Sequence, residues 1–146
     1  MVLISSVSAR LQTNHPYGRH KHVAEVLVLD HNPNHLVFRL GGLYGEGLDK
    51  GVIFDMMNGN EVFMTEDSAF NYIDTLKASE LIVDRLEKKG IVDIGAKDSI
   101  SIGKIANHFG WNVKFGNRYE FQNTENPDDD YPNADEVLKY ISALNK

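Results

Sequence analysis

The sequence predicts an α/β chain with an at least partly parallel sheet. Three observations carry that expectation. Short apolar runs of strand length alternate with longer stretches whose apolar residues recur at helical spacing. No internal repeat or linker divides the 146 residues, which is about one domain. The composition, 42% hydrophobic and 25% charged, is that of an ordinary globular chain with a real core.

The elements follow in order. Residues 2–6 read as a short buried strand, apolar until its serines. Residues 9–16 are polar and turn-rich, a loop. Pro16 suits the first turn of a helix, where its missing N–H is not needed. That helix runs to about residue 29 with Val23, Ala24, Val26 and Leu27 at helical spacing, and 30–34 ends it. Residues 36–40 form a second strand, 41–47 a glycine-rich loop, and 52–57 a short helix stopped at Asn58-Gly59. Residues 61–65 and 70–73 read as strands. The clearest helix spans 75–89, with Leu76, Ser79, Ile82, Val83 and Leu86 on one face and Gly90 closing it. Residues 91–94 are a strand. A helix at 101–109 turns Ile102, Ile105, Ala106 and Phe109 inward, and 111–115 reads as a further strand. Residues 116–131 are polar and acidic, a surface loop. Asn133 caps a last helix to about Leu144, with Glu136 as its capping-box partner.

Charge and composition exclude several functions. A formal net charge of −6 argues against a nucleic-acid backbone or an anionic membrane as main partner. A local basic patch remains at Arg19, His20, Lys21 and His22. No cysteine is present, which removes disulfides, thiolate metal sites and cysteine nucleophiles and fits a reducing compartment. Apolar runs fall short of a membrane span, and the first four residues are too short and uncharged for a signal peptide, so a soluble cytoplasmic protein is expected. The six histidines form no ligand set: Pro33 breaks the helix that would align His31 with His35, and His20 and His22 face different ways. No metal site is expected.

The chemistry concentrates near residues 5–25. Tyr17 and Lys21 lie at i and i+4 on one helix face, behind serines at a strand end. A free tyrosine titrates near 10, so using it as a base at neutral pH means lowering that value by about three units, roughly 4 kcal/mol. An ammonium about 4 Å away at an effective dielectric near 20 supplies about that much. A serine hydroxyl can hold and polarise the substrate oxygen. Together they suit proton transfer at an alcohol or carbonyl, coupled to hydride transfer with a nicotinamide. The pair also admits a plain reading, a half-buried tyrosine and a solvated lysine on an amphipathic helix. Arg39 suits an anion or a carboxylate such as Glu25 or Asp74.

Ile4-Ser5-Ser6, then Pro16-Tyr17-Gly18-Arg19-His20-Lys21 with Ala24-Glu25, then Phe38 to Gly45, Gly51-Val52-Ile53, Gly59 to Val62 and Tyr72-Ile73-Asp74, resemble in order and spacing the extended short-chain dehydrogenase/reductases, the nucleotide-sugar epimerases and dehydratases. The resemblance covers roughly residues 2 to 110 and implies the last strands of a Rossmann-like parallel sheet with a small substrate lobe. It implies Ser6, Tyr17 and Lys21 as catalytic residues, with Ser5 or Ser8 as the alternative serine. It also implies Tyr17 and Lys21 as contacts to NAD or NADP, and Ser8, Arg39, Gly42 and Tyr44 around a small-molecule sugar substrate. The family's cofactor-binding half precedes the serine strand and has no counterpart here. Weak or no binding of nicotinamide dinucleotide by this chain alone is therefore expected. So is a homo-oligomer, or a hetero-complex with a cofactor half, through residues 2–29. A non-catalytic binding or assembly domain is the alternative.

Four features depart from the family or compete with it. Gly42 stands where many members carry asparagine, and Phe70 where many carry an arginine for a diphosphate. The serine-to-tyrosine loop is also short. Finally, Gly42-x-x-Gly45-x-Gly47 with Glu66-Asp67 has the outline of a dinucleotide fingerprint, or of a plain strand-end loop and turn.

Overall fold

A computed structural model describes residues 1–144. In chain order the elements are β1 (Val2–Ser6), α1 (Ser8–Leu11), α2 (Pro16–His31), β2 (Leu36–Leu40), β3 (Leu43–Tyr44), α3 (Val52–Met57) and β4 (Ala69–Phe70). There follow β5 (Ile73–Asp74), α4 (Thr75–Val83), β6 (Gly90–Ile94), β7 (Ile100–Ser101), α5 (Ile102–Phe109) and α6 (Ala134–Leu144). The main sheet is parallel, in the order β1-β2-β6, as the α/β pattern predicts. Its register places Ser5, Arg39 and Asp93 in one row and Ile4, Phe38 and Val92 in the next.

The two sheet faces carry different chemistry. One buries Leu36, Phe38 and Ile94 against Ala78 and Leu81 of α4. The other meets α2 through a polar lock. Glu25 is only 2% exposed. It accepts the Ser5 hydroxyl at 2.6 Å and the Arg39 guanidinium through Nε at 3.0 Å and Nη2 at 2.7 Å. Arg10 of α1 makes a second ion pair in the same sheet row, to Asp93 at 2.9 Å. A further core gathers Tyr44, Ile53, Met56, Phe70, Tyr72, Ile105 and Ile141 from α3, α5, α6 and the short strands. β3 pairs in parallel with β5, and β4 antiparallel with β7, as small ladders in that lobe.

Several expectations need correction. The 9–16 loop begins as a helix, α1, because the turn after β1 closes on itself through Arg10 N–H to Val7 O and Gln12 N–H to Ser8 O. Residues 61–65 and 111–115 are not strands. They run beside each other with scattered bonds, such as Val62 N–H to Lys114 O, and no continuous ladder. The 70–73 strand divides into β4 and β5, which pair with different partners. α4 stops at Val83, and Leu76, Val83 and Leu86 are exposed. Its buried face is Ala78 and Leu81, with Ile82 partly covered, and Arg85 just beyond its end turns inward to Asp130 and Asp128 and stacks over Tyr131. β1 is not buried: Val2 and Ile4 are exposed, and the strand pairs with β2 alone. α2 has no apolar stripe either. Gly18 and Glu25 are its buried residues, while Val23, Val26 and Leu27 face outward.

Glu25→Ala leaves the Arg39 guanidinium buried without its carboxylate, so unfolding free energy in urea should fall by about 3–5 kcal/mol. Leu27→Ala, on the exposed side of α2, should move it by less than about 0.5 kcal/mol.

Candidate functional site

In a parallel sheet, ligands bind beyond the carboxyl ends of the strands. Here β1 ends at Ser6, and β2 runs out into Gly41-Gly42. Those residues border a cleft of about 260 Å³. Leu43, Val52, Met64 and Phe70 form its apolar side, and Tyr72, Glu120 and Gln122 join Ser6 on its polar side.

Strand alternation sorts the serines. Ser5 points to α2 and is bound to Glu25, so Ser6 faces the opposite side, toward the cleft. Ser6 Oγ accepts the Ser8 N–H at 3.1 Å. Accepting there does not consume the hydroxyl's own proton, which can go to a ligand oxygen. Ser8 is buried and engaged, donating to Gln12 Oε1 at 2.6 Å and accepting from Gln122 Nε2 at 3.1 Å.

Glu120 and Gln122 reach the cleft because their segment pairs with 68–69. Ala69 N–H bonds Glu120 O, and Gln122 N–H bonds Ala69 O. Asn71 tightens the same junction by donating to Thr124 Oγ1 at 2.8 Å. A side chain at Gly42 would put a Cβ 2.5 Å from the Tyr72 ring, so the glycine is what lets that ring pack into the wall. Tyr72 is 3% exposed, and its hydroxyl is buried with no hydrogen-bond partner. Burial, reinforced by the Glu120 carboxylate, pushes its pKa well above the usual phenol range.

Tyr17 and Lys21 sit on the first turns of α2, at the same end of the sheet. That turn packs tightly on α1: a Cβ at Gly18 would fall 2.5 Å from the Ser8 carbonyl oxygen. Tyr17 is 60% exposed, and Lys21 Nζ lies 5.7 Å from its ring centroid. Neither residue lines the cleft.

The other expected site residues are dispersed. Arg39 is committed to Glu25, whose hydrogen bonds raise its pKa, and borders a separate cavity with Lys88 and Asp128. Tyr44 donates its hydroxyl to Val137 O at 3.4 Å, burial raises its pKa, and it lines a third cavity with Lys50 and Phe54. Of the expected substrate contacts, the cleft holds Gly42 and not Ser8, Arg39 or Tyr44. The dinucleotide outline also lacks its structural context. β3 interrupts the glycine run, α3 is a six-residue helix, and Asp67 accepts the Thr65 hydroxyl in a turn. Sequence reasoning missed Glu120 and Gln122, since 116–131 carries only the signal of a polar loop. Among the described residues no cluster of three or more potential ligands could hold a metal, and no helix is long and apolar enough to cross a membrane.

No family model and no curated protein matches the sequence. Solved structures match its fold. MoeE5 in complex with UDP-glucose and NAD superposes with a TM-score of 0.75 at 15% identity, covering 99% of this chain and 62% of that one. The Helicobacter pylori ADP-L-glycero-D-manno-heptose-6-epimerase gives 0.72 at 17% identity, covering 99% and 58%. The Bacillus anthracis dTDP-4-dehydrorhamnose reductase in complex with NADP gives 0.70 at 16%, covering 99% and 65%. The chain therefore has the Rossmann-like α/β fold of nucleotide-sugar epimerases and reductases, and spans about three fifths of the length of the structures it matches.

Tyr72→Phe removes an unpaired buried hydroxyl and keeps the ring. Chemical denaturation should show a gain in stability of about 1–3 kcal/mol over the natural chain.

Proposed function

We propose that this chain supplies the substrate-side and acid–base part of an NAD(P)-linked sugar epimerase, dehydratase or reductase reaction. The observation that carries the reading is the convergence at one sheet end. Ser6 borders the cleft, and the Tyr17–Lys21 pair stands on the helix turn at that same end. In this reading Ser6 donates its proton to the substrate oxygen and polarises it. Tyr17 gives or takes the proton of the reacting hydroxyl, with the Lys21 ammonium standing beside its ring. NAD or NADP, when bound, accepts or returns the hydride. The exposed, adjacent side chains of Tyr17 and Lys21 fit a contact to its nicotinamide end. The lack of cysteine supports a reducing, cytoplasmic setting.

Turnover of a sugar substrate with NAD(H) or NADP(H) should fall about 100-fold or more in Tyr17→Phe, with unchanged circular dichroism. Unchanged turnover in that variant would take Tyr17 out of the mechanism. A second reading, a binding or assembly domain without turnover, is favoured by one observation: Tyr17 and Lys21 lie outside the cleft that Ser6 borders. Cleft binding without any NAD(P)-linked turnover would decide for it.

We also propose that residues 2–29 form an association surface, with a second copy or a cofactor-binding partner as the occupant. Among the described residues the outer edge of β1 has no strand beside it, and Val2 and Ile4 of that strand and Val23 and Leu27 of α2 are exposed. Light scattering at micromolar concentration should give at least a dimer for a self-associating chain, or a monomer that shifts to a complex when the partner is added. A monomer whose 2–29 amides are all protected from exchange would count against both.

A further inference from the structure

The cleft's chemistry points to a particular kind of ligand. Its one charged side chain among the described residues is Glu120, a carboxylate, already paired to Arg118. Arg118 itself borders the neighbouring groove, where Asp55 and Glu61 add two more acids. No cation lines the cleft itself, and the groove past Met64 sets Arg118, already bound to Glu120, among three carboxylates. Its hydrogen-bonding groups are of both kinds. Ser6 has a proton to give. Gln122 spends both amide hydrogens on Ser8 and Gln12, which leaves its side-chain oxygen to accept. Tyr72 carries a buried hydroxyl with no partner among the described residues. Gly41 and Gly42 bring no side chain of their own into the cleft, because Asn71 and Tyr72 fill the space beside them. The volume, about 260 Å³, lies just under the roughly 300–1,000 Å³ of sites for drug-sized ligands.

Each hydroxyl of a sugar both donates and accepts, carries no charge, and needs no cation. We propose that the cleft between Ser6, Tyr72 and Gln122 takes an uncharged polyhydroxylated ligand, a free sugar or alditol, rather than a nucleotide diphosphate sugar. This deepens the function proposed above and rests on its reading of the cleft as the substrate site. Tyr72 is then a specificity-determining residue, with its unpaired hydroxyl reserved for the ligand.

The test is a titration of the full chain, without cofactor, followed through its backbone amide resonances. The probes are D-glucose, D-galactose, D-mannose and sorbitol, with UDP-glucose and UDP as charged counterparts. At least one neutral probe should shift the Gly42, Tyr72 and Gln122 amides saturably, with half-saturation at about 1–10 mM, as suits a small open site. UDP-glucose should bind the same amides more weakly. Tyr72→Phe should raise the neutral probe's half-saturation about fivefold or more while the fold stays intact. Absence of saturable shifts with every neutral probe, or tighter binding of UDP-glucose, would overturn the proposal. An unchanged half-saturation in Tyr72→Phe would remove that residue from it. Because the titration contains no NAD(H) and reads no turnover, its failure leaves the acid–base reading of Tyr17 standing, and a failed turnover assay leaves this one standing.

Discussion

The buried carboxylate of Glu25 fixes the geometry on which the remaining placements depend. α2 has no apolar stripe, so hydrophobic burial alone would leave its rotation on the sheet poorly specified. Glu25 supplies that specification by binding Ser5 of β1 and Arg39 of β2 at once. Tyr17, Lys21 and Glu25 follow at four-residue intervals, so they form one row along the helix. Setting the phase at Glu25 sets it for Lys21 and Tyr17, about one and two turns earlier. Residues four apart are offset by about 40° around the axis, which carries the row from buried Glu25 to half-covered Lys21 and exposed Tyr17. The same lock orients β1. With Ser5 held toward the helix, Ser6 must face the cleft.

A buried ion pair is weak evidence for added stability, because desolvation of both charges offsets much of their attraction. Its worth here is directional. An apolar contact tolerates a helix sliding by a fraction of a turn, whereas three hydrogen bonds to one carboxylate do not. Arg10 repeats the device one strand over, joining α1 to Asp93 and to the backbone carbonyl of Asn123. Two polar clamps therefore hold α1, α2 and the 120–125 segment on one sheet face.

That mode of assembly explains what the sequence revealed and what it concealed. Signals that live in a few adjacent residues translated directly. Pro16 opens α2, Asn133 and Glu136 cap α6 reciprocally, and Ser101 caps the strongly amphipathic α5. The strands at 36–40 and 90–94 are apolar runs whose sheet position is set by burial. Signals that depend on distant partners failed. Leu76, Val83 and Leu86 define a persuasive apolar face on α4, yet the helix buries Ala78 and Leu81, and Arg85 just beyond its end turns inward to carboxylates 43 and 45 residues away. Val23 and Leu27 suggest a buried stripe on α2, yet a glutamate takes the buried position. Motif order singles out Ser6 and Gly42, which border the cleft; it does not single out Glu120 and Gln122, because only the pairing of 120–122 with 68–69 brings a polar loop there.

The same reasoning limits what the shared fold conveys about ligand. Fold and function are separable, since specificity resides in a handful of side chains grafted on a scaffold. MoeE5 holds UDP-glucose on a scaffold that superposes on nearly all of this chain. In this chain the corresponding chemistry has to be read from its own cleft, and there two residues act in concert. Gly42 vacates space beside the strand end, and the Tyr72 ring moves against it with a hydroxyl that finds no partner. Phe70 packs against that ring, their centroids 5.3 Å apart, and adds no charge. The stretch of wall formed by Gly42, Phe70 and Tyr72 is consequently uncharged, and the cleft's charged lining residue among those described is the carboxylate of Glu120. An unpaired buried hydroxyl lowers stability, so a chain that retains one is expected to use it. The cleft beside Ser6 is where that use would show.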